Sequence, residues 1–292
     1  MKVHLVDGTY ELFRCFYGAP SSIDDQGHEV GASRALLATL TKLLRTDGVT
    51  HVAVAFDTVI ESWRNRELNS YKTGAGIDPA LHEQFPLAEE IAESLGLVVW
   101  RMLEYEADDA LASSATALQQ EPAVDQIVIC TPDKDLAQCV RGNRVVLWDR
   151  RRDIYYNEAG VFEKWGVAPQ MIPDLLALIG DTADGIPGLK GFGPKSAAAL
   201  LMRFGHIDRI PDDPAEWDIK PAVRGAAKLA ETLRKGREKS RLYRRLTELV
   251  CDLPLSETLA QLEWKGASRP DIEAIAERLG DDTSVERIPK WA

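Results

Sequence analysis

Long apolar runs, histidine and cysteine are all scarce in this sequence, and each shortage excludes something. No stretch approaches the roughly 20 apolar residues that a membrane helix needs. The opening MKVHLVDGTYELF is strand-like and carries an Asp, without the succession of charged, apolar and small residues that marks a secretory signal. No membrane association and a cytoplasmic location are therefore expected. The four cysteines, Cys15, Cys130, Cys139 and Cys251, lie far apart with no CxxC spacing. Two of them fall inside apolar runs, where a thiol is a small core residue, so no disulfide or zinc framework is expected. No repeat or low-complexity tract stands out either.

What is present is a chain of 292 residues with 45% hydrophobic content, enough for one large α/β core or a core with a smaller attached domain. The net charge of −11 argues at first against a polyanionic partner. The distribution reverses that impression, because much of the acidity sits in short clusters. Residues 224–245 instead carry Arg224, Lys228, Arg234, Lys235, Arg237, Lys239, Arg241, Arg244 and Arg245 against Glu231 and Glu238. A basic binding face and a merely solvated helix both fit that segment.

Short apolar runs at Val3–Val6, His51–Phe56, Leu97–Trp100, Gln126–Cys130 and Arg144–Trp148 alternate with helically spaced segments such as Ala32–Leu44, Pro86–Leu95 and Ala107–Leu118. This order predicts an α/β fold with a mainly parallel sheet covered by helices, whose strand carboxyl ends line the ligand crevice. After about residue 155 helical segments take over: Glu158–Trp165, Ile172–Ile179, Pro194–Phe204, Arg224–Arg237 and Asp271–Leu279. Ile210–Pro221 reads as an internal loop. Val59–Gln84 is a long connection, and long insertions at a sheet's carboxyl edge are more often functional than idle.

Acidic residues fall in four packets: Asp7 in HLVDGT; Asp57 in VAFDT; Glu106, Asp108 and Asp109 in EADDA; and Asp133 and Asp135 in TPDKDL. Asp181 and Asp184 in GDTADGIPG close the set. In EADDA the spacing places Glu106 and Asp109 on one face of a helix start. In TPDKD an extended segment would point both aspartates to one side. An Asp after a strand or at a helix cap is ordinary taken singly, but several packets at carboxyl edges are harder to explain that way. Converging carboxylates repel unless a cation neutralises them, and hard oxygen donors without His or Cys suit Mg²⁺ or Mn²⁺. Two such ions can activate water and stabilise the leaving oxygen of a phosphodiester, which predicts phosphodiester hydrolysis. No Ser/His or Cys/His set accompanies the carboxylates, so no covalent intermediate is expected.

GDTADGIPGLKGFGPKSAAALL places Gly185, Gly188, Gly191 and Gly193 between two helical stretches, with Pro194 and Lys195 opening the second. Close backbone approach and helix-end amides suit a phosphate, and Lys195 would add charge. A plain interhelical turn is the alternative.

The ordered set LVDGTYELFR, FD, WRNRELNSYK, EADDA, TPDKDLAQ and GDTADGIPGLKGFGPKSAA resembles the 5′-nuclease family. That family includes the N-terminal domain of bacterial DNA polymerase I, phage 5′ exonucleases and flap endonucleases. The resemblance covers most of the chain. It implies a PIN-like catalytic α/β part over about 1–170 with a helical arch or gateway near 59–85. A helical DNA-binding part over 171–292 would follow, with a helix-three-turn-helix at about 174–204. By the same resemblance Asp7, Asp57, Glu106 and Asp108 would surround one metal and Asp133, Asp135, Asp181 and Asp184 a second, with Asp108 shared and Asp109 adjacent. Tyr71 would stack on a nucleotide, and Lys72 would stabilise charge at the scissile phosphate. Arg14 would face a substrate phosphate and Arg64 would contact DNA. Gly188, Gly191, Gly193 and Lys195 would hold the duplex, with K⁺ on the hairpin carbonyls.

Implied partners are DNA with 5′ flaps or 5′ ends, RNA–DNA primers and a separate DNA polymerase, at the nucleoid. Two departures stand out: Ala75 occupies the place of a gateway arginine, and Pro132 that of a usual glycine. A PIN-like ribonuclease, a junction-binding protein without catalysis and a small-molecule phosphatase are the competing readings. The hairpin and gateway are surplus to the first. The second would be expected to have lost an acidic packet or Lys72, and the third does not need the hairpin or the basic segment.

Overall fold

Strands buried on both faces read as unbroken apolar runs, and the first strand, buried from Val3 to Asp7, is one. The computed structural model describes residues 1–292, the side chain of Asp282 excepted. In chain order the elements are β1 (Lys2–Asp7), α1 (Gly8–Gly18), α2 (Gly31–Leu44), β2 (His51–Asp57), α3 (Arg64–Glu67), α4 (Pro79–His82), α5 (Phe85–Ser94), β3 (Val98–Met102), α6 (Ala107–Leu118) and β4 (Gln126–Cys130). Then come β5 (Val145–Asp149), β6 (Ile154–Tyr156), α7 (Glu158–Trp165), α8 (Ile172–Ile179), α9 (Pro194–Phe204), α10 (Ala226–Thr247), α11 (Arg269–Leu279) and α12 (Asp282–Glu286). Among the described residues no helix is long and apolar enough to cross a membrane.

Contacts divide the chain into two units: Met1–Ile60, Gly74–Thr131 and Cys251–Ala292 form the first, Glu61–Thr73 and Pro132–Val250 the second. In the first unit four parallel strands lie in the order β3-β2-β1-β4. The connections reverse direction at β1, so the switch point of the sheet lies at the carboxyl ends of β1 and β4, where α/β sheets bind ligands. Asp7 ends β1 and at once caps α1, its Oδ1 accepting from the Tyr10 amide at 2.8 Å. The strand-like opening therefore stops at Asp7 and gives way to a helix. Gly8 permits this, because a Cβ there would lie 2.6 Å from the Phe56 ring and 2.8 Å from the Ala55 carbonyl. The last segment, Cys251–Ala292, folds with this unit, and α11 packs on α5.

In the second unit β5 and β6 form an antiparallel hairpin. Helix α10 lies along α8, where the Thr247 hydroxyl donates to the Pro173 carbonyl at 3.0 Å. Pro194 at the first position of α9 and Gly205 in the left-handed conformation after it bound that helix. The segment expected as an arch, 59–85, holds two single-turn helices, α3 and α4, with Gly74, Gly76 and Pro79 interrupting longer helix.

Candidate metal centre and nucleic-acid interface

In the first unit, capping chemistry sets the acidic residues. Asp7 Oδ2 accepts from the Thr131 hydroxyl at 3.0 Å, which ties the ends of β1 and β4 at the switch point. Asp57 ends β2, and its Oδ1 accepts from the Ala107 amide at 2.7 Å, bringing that carboxylate to the start of α6. Glu106 and Asp109 form a capping box at that helix start, with the Glu106 amide donating to Asp109 Oδ2 at 3.1 Å. Asp7, Glu106 and Asp109 are buried, while Asp57 and Asp108 are half-buried. The expected shared face of Glu106 and Asp109 is thus present, as a capping box.

The second unit gathers Asp135, Asp181 and Asp184, each with a carboxylate oxygen within 4.8 Å of the other two. TPDKD is not extended here. Asp135 opens a 3₁₀ turn, Asp135–Cys139, and its amide donates to Asp133 Oδ1 at 2.9 Å. This Asx turn, favoured by the short Asp side chain, turns Asp135 inward. Asp181 lies in a loop closed on itself, its amide and carbonyl paired with Ile186 at 2.8 Å each, and its Oδ1 accepts from the Ala183 amide. Asp135 is 6% exposed, and its Oδ1 has no hydrogen-bond partner. Burial, then the charges of Asp133 and Asp184, hold its pKa well above the ordinary carboxylate range.

Two lysines face this group. Lys134 Nζ lies 2.5 Å from Asp181 Oδ2 and 3.9 Å from Asp135 Oδ1. Lys72 Nζ lies 3.2 Å from Asp184 Oδ1, and the Lys72 amide donates to the Asp184 carbonyl at 3.0 Å. The loop reaches Lys72 because Gly185, at φ +71°, lets it press on the Ser70 carbonyl, where a Cβ would come within 1.8 Å. Oxygen donors alone, two of them (Asp135 Oδ1 and Asp181 Oδ2) buried without a directed hydrogen bond, the second met by the Lys134 charge alone, fit a hard divalent cation.

The hairpin between α8 and α9 is closed by the Leu189 amide on the Leu178 carbonyl at 2.8 Å. Gly188, at φ +68°, lies so close to Gly180 that a Cβ would be 2.3 Å from its nitrogen, so this glycine shapes the turn. Gly191 is exposed, and the Gly193 amide donates to Ser196 Oγ at 3.1 Å. Lys195 is exposed, with no ion pair among the described residues. On α10 one side is committed to structure. Arg244 Nε donates to buried Asp174 at 3.1 Å, Arg241 pairs with Asp208, and Arg237 holds the carbonyls of Ile207 and Ile210. Arg224, Lys228, Arg234 and Lys239 are exposed. The basic segment is accordingly part scaffold and part open surface.

Family models place this architecture. The 5′-3′ exonuclease N-terminal resolvase-like domain matches residues 2–166, and the 5′-3′ exonuclease C-terminal SAM fold matches residues 167–270. The chain belongs to the 5′-3′ exonuclease family. A 5′-3′ exonuclease from Aquifex aeolicus is 29% identical over 278 residues, covering 95% of this chain and 90% of that one. DNA polymerase I of Bacillus caldotenax is 31% identical over 291 residues, covering 98% of this chain and 32% of that protein, so this chain spans about a third of that polymerase. Among solved structures, the bacteriophage T5 flap endonuclease, in a pseudo-enzyme-product complex with DNA and metal ions, superposes with a TM-score of 0.65. It is 19% identical, and 98% of each chain is covered. At that identity the likeness shows the fold, a mostly parallel sheet flanked by helices.

Within this 5′-3′ exonuclease chain three residues expected at the substrate are engaged inside the fold. Arg64 is 1% exposed. Its Nε donates to the Leu246 carbonyl at 2.8 Å and its Nη2 to the Glu248 carbonyl at 3.3 Å. Its guanidinium thus holds the end of α10. Tyr71 is 4% exposed, with Lys72 Nζ 5.8 Å from its ring centroid. Arg14 is half-buried, with Nε on Glu11 at 3.0 Å and Nη2 on Thr39 at 3.0 Å, and its side chain keeps 26% exposure. Sequence reasoning passed over Thr131 and Lys134. A cation between two acids in TPDKDL was the available signal for Lys134, whereas nothing in the sequence marks Thr131 as a partner of Asp7.

Proposed function

We propose that this chain is a structure-specific 5′ nuclease that cuts DNA at 5′ flaps and 5′ ends by divalent-metal hydrolysis, in replication and repair. The observation that carries the reading is the trio Asp135, Asp181 and Asp184, with oxygens within 4.8 Å, an orphaned oxygen on Asp135 and Lys72 on Asp184. Mg²⁺ or Mn²⁺ bound there would supply activation of water and charge stabilisation at the phosphodiester. Asp133 positions Asp135 through its amide. Asp7, Asp57, Glu106 and Asp108 are assigned to the second ion, with Asp109 holding the helix start that carries Glu106 and Asp108. Lys72, fixed by Asp184 and braced by Tyr71, stabilises developing negative charge on the scissile phosphate. Arg14 is assigned to a substrate phosphate.

The hairpin and Lys195 hold the duplex without reading its bases. Gly191 and Gly193 bring the backbone near the strand, and K⁺ is assigned to the hairpin carbonyls. The T5 relative, solved with DNA and metal ions, supports this reading of DNA as partner. RNA–DNA primers as further substrates, cooperation with a DNA polymerase and action at the nucleoid belong to the same proposal.

The test is cleavage of a labelled 5′-flap duplex beside single-stranded, blunt and RNA-primed substrates, with Mg²⁺ or Mn²⁺ and with excess chelator. Metal-dependent cutting near the flap junction is expected. Tight flap binding with no cutting under any metal would overturn the nuclease in favour of a junction-binding protein.

A further inference from the structure

Three carboxylates whose oxygens lie within 4.8 Å of one another repel strongly when two of them are buried. The protein must therefore stand without its ion by some other means. Lys72 meets Asp184 at 3.2 Å, and Lys134 meets Asp181 Oδ2 at 2.5 Å while remaining 3.9 Å from Asp135 Oδ1. Asp135 Oδ1 itself has no hydrogen-bond partner. Lys134 precedes the 3₁₀ turn that carries Asp135, so the backbone keeps the root of its side chain beside the group.

We propose that Lys134 is a resident counter-ion of this group, holding Asp181 while no divalent cation is bound and giving it up when one arrives. The inference rests on the metal reading above. A divalent cation and an ammonium compete for the same oxygen, Asp181 Oδ2, and repel each other across it. Lysine suits such a placeholder, being a compact point charge on a flexible stem, where an arginine fork would be held by geometry. Competition of this kind weakens apparent cation affinity and keeps the empty site folded, two effects that one substitution separates. Lys134 acts here through Asp181 and is a positioning residue, not a catalytic one.

The experiment uses the full chain. Mn²⁺ binding to wild type and to Lys134→Met is followed by calorimetry, and melting temperatures are recorded in chelator and in saturating Mn²⁺. Lys134→Met is expected to bind Mn²⁺ about ten-fold more tightly. It should melt about 4 °C lower than wild type in chelator, a deficit that closes in saturating Mn²⁺. Lys134→Arg, which keeps the charge, should stay close to wild type in chelator. Should Lys134→Met not fold, Lys134→Gln keeps a donor without the charge and gives the same readouts. Unchanged or weaker Mn²⁺ binding, or a melting deficit of equal size with and without Mn²⁺, overturns the inference and makes Lys134 a permanent structural partner. If wild type itself takes up no Mn²⁺, the metal reading falls with it. Uptake by wild type without tightening in the variant sinks the counter-ion alone.

Discussion

The two units differ in what their acidic residues face. In the first, Asp7, Asp57 and Asp109 each accept a hydrogen bond from a main-chain amide, those of Tyr10, Ala107 and Glu106. Their positions follow from helix starts and strand ends, and secondary structure keeps them in place. In the second, Asp181 and Asp184 face the ammonium groups of Lys134 and Lys72, and Asp135 keeps an oxygen without a hydrogen bond. Local backbone chemistry places carboxylates in both, since Asp133 and Asp181 also accept from the amides of Asp135 and Ala183, but the second adds a balance of charges left open on one side. An open balance is what a cation can close, so cation dependence should concentrate in the second unit.

The comparison breaks most visibly at Asp135. Asp135→Asn is expected to lower flap cleavage on the order of 10³-fold while leaving duplex binding in place; retained turnover would remove Asp135 from the chemistry. The same change should stabilise the cation-free protein. The sign follows from the raised pKa of Asp135, caused first by burial and then by Asp133 and Asp184. A carboxyl raised in the folded state contributes its stability fully below the unfolded value of about 3.9, and loses that contribution as pH rises through the folded value. Denaturation in chelator should therefore show an advantage for Asp135→Asn that grows as pH rises above the unfolded carboxyl value. An advantage that is flat or shrinks with pH would mean that the buried charge is not the cost.

Asp109→Ala probes the other unit and should look different. Losing the capping box costs about 1–2 kcal/mol, read from urea denaturation. The cost should be the same in chelator and in Mn²⁺, because Asp109 serves the Glu106 amide. A loss confined to the Mn²⁺-loaded protein would instead make Asp109 a ligand and erase the distinction between the units.

The sequence was most legible where one local signal was enough. The expected bounds of β4, α6, α7, α8 and α9 coincide with those of the fold, since each combines a compact apolar pattern with a Pro, Gly, Asn or acidic boundary. Helix α10 runs on to Thr247 instead of ending at Arg237, because its buried side includes Gly236 and Ser240, which blur the apolar spacing among so many charges. The helix after Asp7 was hidden by an apolar run that continues straight out of β1. At the site, the identities of the acidic residues could be read, but their surroundings could not. That Arg64 is buried on the carbonyls of Leu246 and Glu248 depends on a contact 182 residues away, which a basic residue beside a gateway motif does not signal.

Salt offers the smallest and most selective probe. If the second unit works through charges open to solvent, its hold on DNA should weaken with ionic strength in proportion to the phosphates it meets. Lys195, exposed in the first turn of α9, is the test position. Lys195→Ala should lower duplex affinity a few-fold and reduce the slope of log affinity against log salt by about 0.9, the value for one phosphate contact on duplex DNA. Buried Arg64 provides the contrast, since Arg64→Met removes a charge that faces carbonyls and should leave the slope unchanged while lowering stability. An unchanged slope in Lys195→Ala would take the hairpin lysine off the phosphate backbone, and a changed slope in Arg64→Met would return that guanidinium to it.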